Sequence, residues 1–323
     1  MEPASELTPE LRAFVEFVAK KGRELYRDLP WRRTYDPYAI WISEVMLQQT
    51  QVSRVDGRWQ RWLERFPTVD ALAAAAPSDV LEEWQGLGYN RRALSVHRAA
   101  QAISEAGGIF PQDPKELVKL PGIGPATAAG IRAFAFNLHG VYLETNVRTV
   151  FLHELYPQAE GVPDSELVPL VELTCPASVE DAGNADGTAG ADTAVDTAAN
   201  AADADSTEND ATAELTPRSW YYALLDYGAY LKKTIPNPSR RSKSHVKQSR
   251  FEGSHRQKRA ELLRVLLAHK DEGGAVFETL HQELCQIEVN AGRETLDEQV
   301  TLGLLEELAK EGFCQKNDEY WLP

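Results

Sequence analysis

The sequence predicts an all-α fold that ends in a small winged-helix-like domain. The central observation is the stretch 113–148, which has the residues of a helix, a glycine-rich hairpin, a second helix, a loop and a third helix. Apolar residues elsewhere recur at the three- and four-residue spacing of helices. Residues 251–323 contain three such helical segments and then a short strand hairpin, an order typical of a winged helix. We therefore expect two domains, at 1–250 and 251–323.

The elements before the hairpin are predicted to be short helices. A first helix follows Thr8 and ends before Pro30. A second helix begins at Asp36 and carries Glu44 at the border of its apolar stripe. Further short helices follow up to residue 112 and complete this part of the predicted fold.

The hairpin has the sequence Leu-Pro-Gly-Ile-Gly at 120–124 and lies between two predicted helices. Asp113 and Pro114 are suited to the start of the first of them. Gly122 and Gly124 permit a turn whose backbone N–H groups converge beside a helix N-terminus, an arrangement that binds anions such as a DNA phosphate. A tight glycine turn that only joins two packed helices has the same sequence signature.

Charge is strongly segregated along the chain. The net charge is −15, but 180–214 contains ten acidic residues and no Lys or Arg, and without these ten acids the net charge becomes −5. Residues 176–214 have almost no large apolar side chains and are predicted to be a disordered acidic insertion. In contrast, 232–264 has eleven Lys or Arg against two Glu. This basic segment predicts a phosphate-binding face, with a solvated surface as the alternative.

The remaining composition limits the class of protein. The three cysteines are far apart and lack the spacing of metal ligands. No apolar run reaches the length of a membrane span, and the acidic N-terminus lacks the apolar core of a signal peptide. We expect a cytoplasmic, nucleoid-associated monomer with no membrane partner.

Several separated motifs resemble those of the helix-hairpin-helix glycosylases of base-excision repair, in particular the MutY adenine-DNA glycosylases. They are Glu-Val-Met-Leu-Gln-Gln-Thr-Gln-Val at 44–52, Gly-Leu-Gly-Tyr at 86–89, the hairpin, and Asn146. The resemblance covers about 29–155 and resumes near 220–233. It implies a two-lobed helix-hairpin-helix glycosylase fold, with the active site between the lobes. The implied partner is double-stranded DNA with a mispaired or damaged base.

Two acidic residues are the candidate catalytic groups. A carboxyl at Glu44, beside Trp41 and Val45, is partly desolvated and can hold a proton near neutral pH. The resemblance implies that Glu44 is the acid that protonates the base. Glu144 stands where the family has Asp and is implied to stabilise the cationic sugar, although it could simply favour a positive helix N-terminus. Asn146 is expected to cap that helix and to orient the site.

Other residues are assigned by resemblance to the opening of the duplex. Gln49, Leu87 and Tyr89 are expected to enter the base stack when the target nucleotide is extruded. For Tyr89, packing of the ring on the core is the alternative. Ala126 replaces the lysine that forms a Schiff base in bifunctional relatives, which implies a monofunctional glycosylase.

The cofactors of the family are expected to differ here. Four cysteines of the family hold an iron–sulfur cluster, but this chain reads Asn-Pro-Ser-Arg-Arg-Ser-Lys-Ser at 237–244. We therefore expect no cluster, no required cofactor, and a basic loop in which Arg240, Arg241 and Lys243 contact DNA.

A monovalent cation at the hairpin is implied by resemblance alone. In the family, backbone carbonyl groups hold such an ion between the hairpin and a DNA phosphate. The corresponding carbonyls belong to Val118, Leu120 and Ile123. Backbone ligands leave almost no side-chain signature, so the residue types themselves do not predict this site.

Taken together, the resemblance implies a monofunctional glycosylase that removes adenine mispaired with guanine or 8-oxoguanine. Residues 251–323 do not resemble the Nudix-like domain with which the family reads 8-oxoguanine, which favours a mismatch-specific thymine or uracil glycosylase as an alternative. A second alternative is a DNA-structure-binding protein without catalysis. The hairpin and the basic segment would serve such a protein, but it gives no reason for the two acids Glu44 and Glu144.

Overall fold

The structure is a computed structural model that describes residues 7–177, 214–244 and 250–323. Apart from its two ends, the predicted disordered insertion at 176–214 lies outside the described residues. The chain forms two compact units, which interleave along the sequence. The first unit comprises 1–44, 111–119 and 123–246, and the second comprises 45–110, 120–122 and 247–323.

The first unit is built from helices that begin at well-suited residues. Its helices are α1 (Pro9–Glu24), α8 (Pro114–Leu117), α9 (Pro125–Phe136), α10 (Thr145–Glu154), α11 (Asp164–Thr174) and α12 (Pro217–Thr234), and α2 (Pro37–Leu47) contributes residues to both units. The Thr8 side chain accepts from the Leu11 amide, and Thr216 accepts in the same way from Ser219. Proline stands at the start of both helices, where the missing N–H costs nothing.

Helix α12 is the central buried helix of the first unit, and two glycines let its neighbours approach it closely. A Cβ on Gly22 of α1 would lie 2.2 Å from the Cβ of Ala223. A Cβ on Gly228 of α12 would lie 2.3 Å from the carbonyl oxygen of Asn146. These distances are far below van der Waals contact, so any side chain at either glycine would force the helices apart.

A buried ion pair fixes the turn Pro30–Arg32 to α12. The guanidinium of Arg32 donates two parallel hydrogen bonds to Asp226, from Nη1 at 2.7 Å and from Nη2 at 2.8 Å. Both side chains are only 1% exposed. Arg27 donates to the same carboxylate from its backbone amide at 3.2 Å and from its Nε. This bidentate geometry satisfies both carboxylate oxygens away from water.

The second unit surrounds an aromatic core. Its helices are α3 (Val52–Val55), α4 (Arg58–Arg65), α5 (Val69–Ala74), α6 (Pro77–Trp84), α7 (Arg91–Glu105), α13 (His255–Ala268), α14 (Phe277–Asn290) and α15 (Glu298–Glu311). The ring of Trp62 packs edge-on against Phe66 and Trp84, with centroids 5.0 and 5.5 Å apart. Such edge contacts are favourable for aromatic quadrupoles.

The C-terminal elements have the predicted winged-helix order. A three-stranded antiparallel sheet, in the order β1 (Ala275–Val276), β3 (Tyr320–Leu322), β2 (Gln315–Asn317), accompanies α13, α14 and α15. Tyr320 pairs with Val276 on one side and with Asn317 on the other. The strand β1 was not predicted, because two residues are too short to show an alternating pattern.

These C-terminal elements do not stand apart from the second unit. Glu311 of α15 accepts two hydrogen bonds from Arg91 of α7, at 2.7 and 2.5 Å, and also pairs with Arg259 at 2.7 Å. Lys270 pairs with Asp79 of α6 at 2.7 Å. Residues 247–323 are thus grouped with 45–110 and 120–122, and the domain boundary at 250/251 stays a prediction. Across the described residues, we find no helix with the length and apolar character needed to cross a bilayer.

We predict that Asp226→Asn will destabilise the protein by about 3–5 kcal/mol, because it leaves the Arg32 charge buried without its carboxylate. Urea unfolding followed by circular dichroism measures this loss. The control is Asp28→Asn, which removes an ion pair with Arg33 whose side chains are 60% and 65% exposed and should leave the urea midpoint nearly unchanged. Equal losses in the two variants would contradict the assignment.

Candidate active site

Glu44 of α2 lies against a tyrosine and a glycine of the first unit. The hydroxyl of Tyr142 donates to Oε2 of Glu44 at 2.9 Å. A Cβ on Gly130 of α9 would lie 2.5 Å from the same oxygen and 2.9 Å from the Tyr142 ring. The absence of a side chain at Gly130 therefore creates the space that the acid and the tyrosine share.

The environment of Glu44 brings its carboxyl into the range needed for proton transfer at neutral pH. Burial is the main cause and raises its pKa to about 7, the Tyr142 hydroxyl opposes this rise, and the negative charge of Glu144 adds to it. Burial also raises the pKa of Tyr142 well above its usual value, so that its hydroxyl stays neutral. Glu44 is consequently present in both protonation states near pH 7, as a general acid requires.

Tyr142 is held in place by its own neighbours. Its backbone amide donates to the hydroxyl oxygen of Tyr221 at 3.1 Å. Its ring packs edge-on against Phe134 and Tyr221, with centroid distances of 5.2 and 5.3 Å. The orientation of the hydroxyl toward Glu44 thus follows from packing within the first unit.

Glu144 forms the N-cap of α10. Its Oε1 accepts from the backbone amides of Asn146 at 2.6 Å and Val147 at 3.2 Å. The prediction that Asn146 caps this helix is therefore wrong: Asn146 is the second residue inside α10, and the longer side chain of Glu144 folds back over the exposed N–H groups. The carboxylate consequently sits at the positive end of a helix dipole.

Lys232 of α12 completes this group. Its Nζ donates to Oδ1 of Asn146 at 2.7 Å. Burial raises the pKa of Glu144, while the charge of Lys232 and the backbone N–H groups of α10 hold it down. Burial in turn lowers the pKa of Lys232. The two acids therefore have different electrostatic surroundings, since a neutral hydroxyl faces Glu44 and a cation lies near Glu144.

Sequence reasoning missed Tyr142 and Lys232. Tyr142 lies two residues before Glu144, but an aromatic residue in a loop has no chemical signature of its own. Lys232 was placed in the basic segment with ten other Lys or Arg, and only the close packing of α12 on α10 singles it out. A lysine four residues after the glycine at 228 was the available signal, because it lies one helical turn further along the same face.

The residues expected to open the duplex fall in the second unit and differ in exposure. Gln49 is exposed, and Tyr89 is 46% exposed. Leu87 is only 2% exposed, so the expectation that it wedges into a base stack does not hold in this structure. Its side chain is part of the core instead, because the loop 86–89 turns it inward. Both Gln49 and Tyr89 adopt left-handed backbone conformations, with φ of 56° and 51°.

The hairpin has a geometry that demands glycine. Gly122 has a φ of 76°, and a Cβ there would lie 2.6 Å from the Cβ of Ser95. Gly124 is the N-cap of α9, and Ala126 is the second residue of that helix. The preceding helix, α8, ends at Leu117. A turn in the left-handed region beside a helix N-terminus is compatible with the proposed phosphate site.

The three basic residues expected to contact DNA in the loop after α12 differ in their surroundings. Arg240 and Lys243 are exposed, as a DNA contact requires. The guanidinium of Arg241 instead donates to the backbone carbonyl oxygens of Leu152 at 2.7 Å and Pro157 at 2.8 Å. Arg241 therefore ties the loop to the C-terminal end of α10, and we remove it from the expected DNA-contacting residues. The carbonyls at a helix end attract such a cation.

The thiols do not fit an iron–sulfur cluster, which requires four thiolates. The chain has three cysteines, of which Cys175 and Cys314 are buried. Burial raises the pKa of Cys314 to about 12 and also raises that of Cys175, so these groups remain neutral thiols. Over the part of the chain that the structure describes, no three His, Cys, Asp or Glu side chains are grouped as metal ligands.

Comparison with known proteins points to a single family. The family model of the HhH-GPD superfamily base excision DNA repair protein matches residues 42–219. An adenine DNA glycosylase of Mycolicibacterium smegmatis is 42% identical over 152 residues, which are 46% of this chain and 52% of that relative. The human adenine DNA glycosylase is 39% identical over 134 residues, 38% of this chain and 24% of the relative. The chain thus spans about half, or less, of the length of these curated relatives.

A solved structure agrees on the fold. The structure of a thermostable thymine-DNA glycosylase superposes with a TM-score of 0.53 at 19% identity, covering 71% of this chain and 90% of that one. At this identity the likeness concerns the fold alone. The family model, in contrast, matches more than half of the chain, and this protein therefore belongs to the HhH-GPD superfamily of base excision DNA repair proteins.

Proposed function

We propose that this protein is a monofunctional DNA glycosylase that hydrolyses the bond between adenine and deoxyribose where adenine is mispaired with guanine or 8-oxoguanine. The observation that carries the proposal is the pair Glu44 and Glu144, two partly buried acids that influence each other's charge but have different partners. The names of the relatives support adenine as the base. We further propose that the protein acts as a monomer on double-stranded DNA.

Glu44 is the proposed general acid. An adenine anion is a poor leaving group, and protonation of the base by a carboxylic acid lowers the barrier to its departure. A pKa of about 7 leaves a large protonated fraction at neutral pH. Tyr142 orients the carboxyl and, as a neutral donor, stabilises the carboxylate that remains after transfer.

Glu144 is the proposed stabiliser of the sugar cation. Loss of the base leaves positive charge at C1′, and a nearby carboxylate stabilises that charge only if it is ionised. The amides of Asn146 and Val147 and the charge of Lys232 favour the ionised form against burial. Opposite protonation states for two neighbouring acids are a common arrangement in glycosidic bond cleavage.

The residues proposed to contact DNA lie between the two acids in the sequence or after them. The hairpin glycines Gly122 and Gly124 supply backbone N–H groups for a phosphate. Arg240 and Lys243 supply exposed positive charge. Gln49 and Tyr89 fill the space that the extruded nucleotide leaves.

The proposed reaction needs no redox or metal cofactor. Ala126 carries no amine, so the abasic site remains intact after the base is released. The thiols do not fit the family's iron–sulfur cluster, and we propose that Arg241 holds the corresponding loop instead. From the resemblance alone, we also propose a monovalent cation on the carbonyls of Val118, Leu120 and Ile123, where it would add positive charge for a phosphate.

The proposed function is tested by single-turnover cleavage of four duplexes, with adenine opposite 8-oxoguanine, adenine opposite guanine, thymine opposite guanine, and uracil opposite guanine. Adenine release followed by strand breakage only after alkali is expected. Release of thymine or uracil would instead favour a mismatch-specific glycosylase. Binding without release from any duplex would indicate a DNA-structure-binding protein, and breakage without alkali would refute the monofunctional assignment.

We predict that Glu44→Gln lowers the rate of base release by about 10²- to 10⁴-fold, because the amide cannot donate a proton as an acid does. Binding of the mispaired duplex, measured by fluorescence anisotropy, should be unchanged. Glu64→Gln on the exposed face of α4 is the matched control and should keep full activity. A Glu44→Gln enzyme with undiminished release would remove Glu44 from the mechanism.

The pH dependence tests the role of Tyr142. Glu44 acts in its protonated form, so the single-turnover rate should fall about tenfold per pH unit above about 7. The Tyr142 hydroxyl lowers the pKa of Glu44, and Tyr142→Phe should therefore move this fall to higher pH. The same variant should have a lower maximal rate, because the carboxyl loses its orienting partner. An unchanged basic limb would show that the hydroxyl does not act on Glu44.

Lys232 should control the opposite side of the pH profile. Glu144 acts in its ionised form, and the charge of Lys232 lowers its pKa. Lys232→Met should therefore raise the pKa of Glu144 and move the acidic limb to higher pH, while Lys232→Arg retains the charge and should leave that limb nearly in place. If both variants shifted the limb equally, hydrogen bonding to Asn146 rather than charge would be responsible.

A further inference from the structure

Arg92 of α7 binds backbone oxygens from two separate loops of the second unit. Its Nη1 donates to the carbonyl oxygens of Val45, in the last turn of α2, and of Gln48, in the loop that follows α2, both at 2.6 Å. Its Nη2 donates to the carbonyl oxygens of Gly88 at 3.0 Å and Leu87 at 3.3 Å, in the loop that follows α6. One guanidinium thus joins the end of α2 to the 86–89 turn.

The surroundings hold the guanidinium firmly. Nη2 also donates to Oγ1 of Thr50 at 3.3 Å. The rings of Trp84 and Tyr89 lie 5.3 and 5.5 Å from its central carbon, within the range of cation–π attraction. Burial lowers the pKa of Arg92 to about 10, which still leaves it charged at neutral pH.

The two joined loops share an uncommon backbone feature. Gln49 and Tyr89 both lie in the left-handed region, with φ of 56° and 51°. Residues other than glycine occupy this region mainly where the surrounding structure enforces it. The angle φ is measured relative to the preceding carbonyl, and Arg92 binds the preceding carbonyl in both cases, at Gln48 and at Gly88. The guanidinium therefore holds the peptide groups from which Gln49 and Tyr89 project.

We propose that Arg92 is a positioning residue that locks the loops bearing Gln49 and Tyr89 into one rigid wedge for opening the DNA duplex. The inference rests on the proposed function of these two side chains. A preformed wedge avoids the entropic cost of ordering two loops on binding. Arginine suits the role because its planar fork reaches both sets of carbonyls at once, whereas a lysine ammonium is a point charge that cannot span them.

The test separates opening of the duplex from cleavage. Single-turnover rates are measured on a paired substrate, with adenine opposite guanine, and on an unpaired one, with adenine opposite an abasic-site analogue. Arg92→Lys should slow cleavage of the paired substrate at least about tenfold more than that of the unpaired one. Arg98→Lys, an exposed arginine on the same helix, is the matched control and should leave the ratio unchanged. Equal slowing on both substrates would mean a purely structural role and would overturn the proposal.

A second readout does not depend on base release. A 2-aminopurine placed beside the target nucleotide brightens when the stack opens, and stopped-flow mixing gives the opening rate. Arg92→Lys should slow this rate, and an unchanged rate would refute the proposal. Should the wild-type protein open the duplex but release no base, the glycosylase assignment fails while the Arg92 proposal is still decided. If the wild-type protein does not open the duplex, the wedge itself is disproved.

A second, milder variant keeps the proposal testable if Arg92→Lys does not fold. Thr50→Val removes one acceptor of Nη2, together with the hydroxyl's own contacts to the carbonyl oxygens of Gln48 at 3.2 Å and Leu87 at 3.4 Å, and keeps the side-chain volume nearly constant. It should shift the paired-to-unpaired ratio in the same direction as Arg92→Lys but by a smaller factor, with an unchanged circular dichroism spectrum. No shift with Thr50→Val, together with unfolding of Arg92→Lys, would assign the guanidinium to stability alone.

Discussion

The close approach of α12 to the start of α10 is the constraint on which the candidate site depends. It requires a glycine at position 228, where the carbonyl of Asn146 occupies the space of a side chain. One turn later the same helix presents Lys232 to Asn146, and half a turn earlier it presents Asp226 to Arg32. A single helix therefore sets the electrostatic environment of the helix cap at Glu144 and anchors the segment that precedes α2. The packing of α12 on α10 therefore also determines the electrostatics, because a wider separation of these helices would move Lys232 away from Glu144.

The two acids show how one small region can give two buried carboxyl groups different electrostatic surroundings, although burial raises the pKa of both. The carboxyl of Glu44 accepts from the neutral hydroxyl of Tyr142 and lies against Gly130, which has no side chain. Burial raises the pKa of Glu44, and the negative charge of Glu144 raises it further. Burial raises the pKa of Glu144 as well, but the amide N–H groups of α10 and the nearby Lys232 ammonium act against this rise. The Glu144 side chain is long enough for its carboxylate to fold over the N-terminus of α10. Environment, rather than the identity of the carboxylic acid, distinguishes the two groups.

The sequence allowed a large part of this organisation to be predicted, but only where the signal was local. The hairpin, the helices with regular apolar spacing, and the order of the C-terminal elements follow from residues close together in the chain. The contacts that tune the site join residues far apart: Tyr142 is 98 positions from Glu44, and Lys232 is 86 from Asn146. Neither resemblance nor residue type reveals burial: Leu87 and Arg241 are both expected to contact DNA, yet Leu87 packs in the core and Arg241 binds carbonyl groups.

The absence of a side chain at Gly130 limits which substitutions this position can accept. Every single-nucleotide change of a glycine codon that alters the amino acid adds at least a Cβ, and at this position the Cβ points into the carboxyl of Glu44 and the ring of Tyr142. No amino acid reached from codon 130 by a single-nucleotide change therefore fits this position without moving one of these two side chains. A substitution at this codon would therefore displace the carboxyl of Glu44 or the ring of Tyr142 directly, although residue 130 itself carries no functional group.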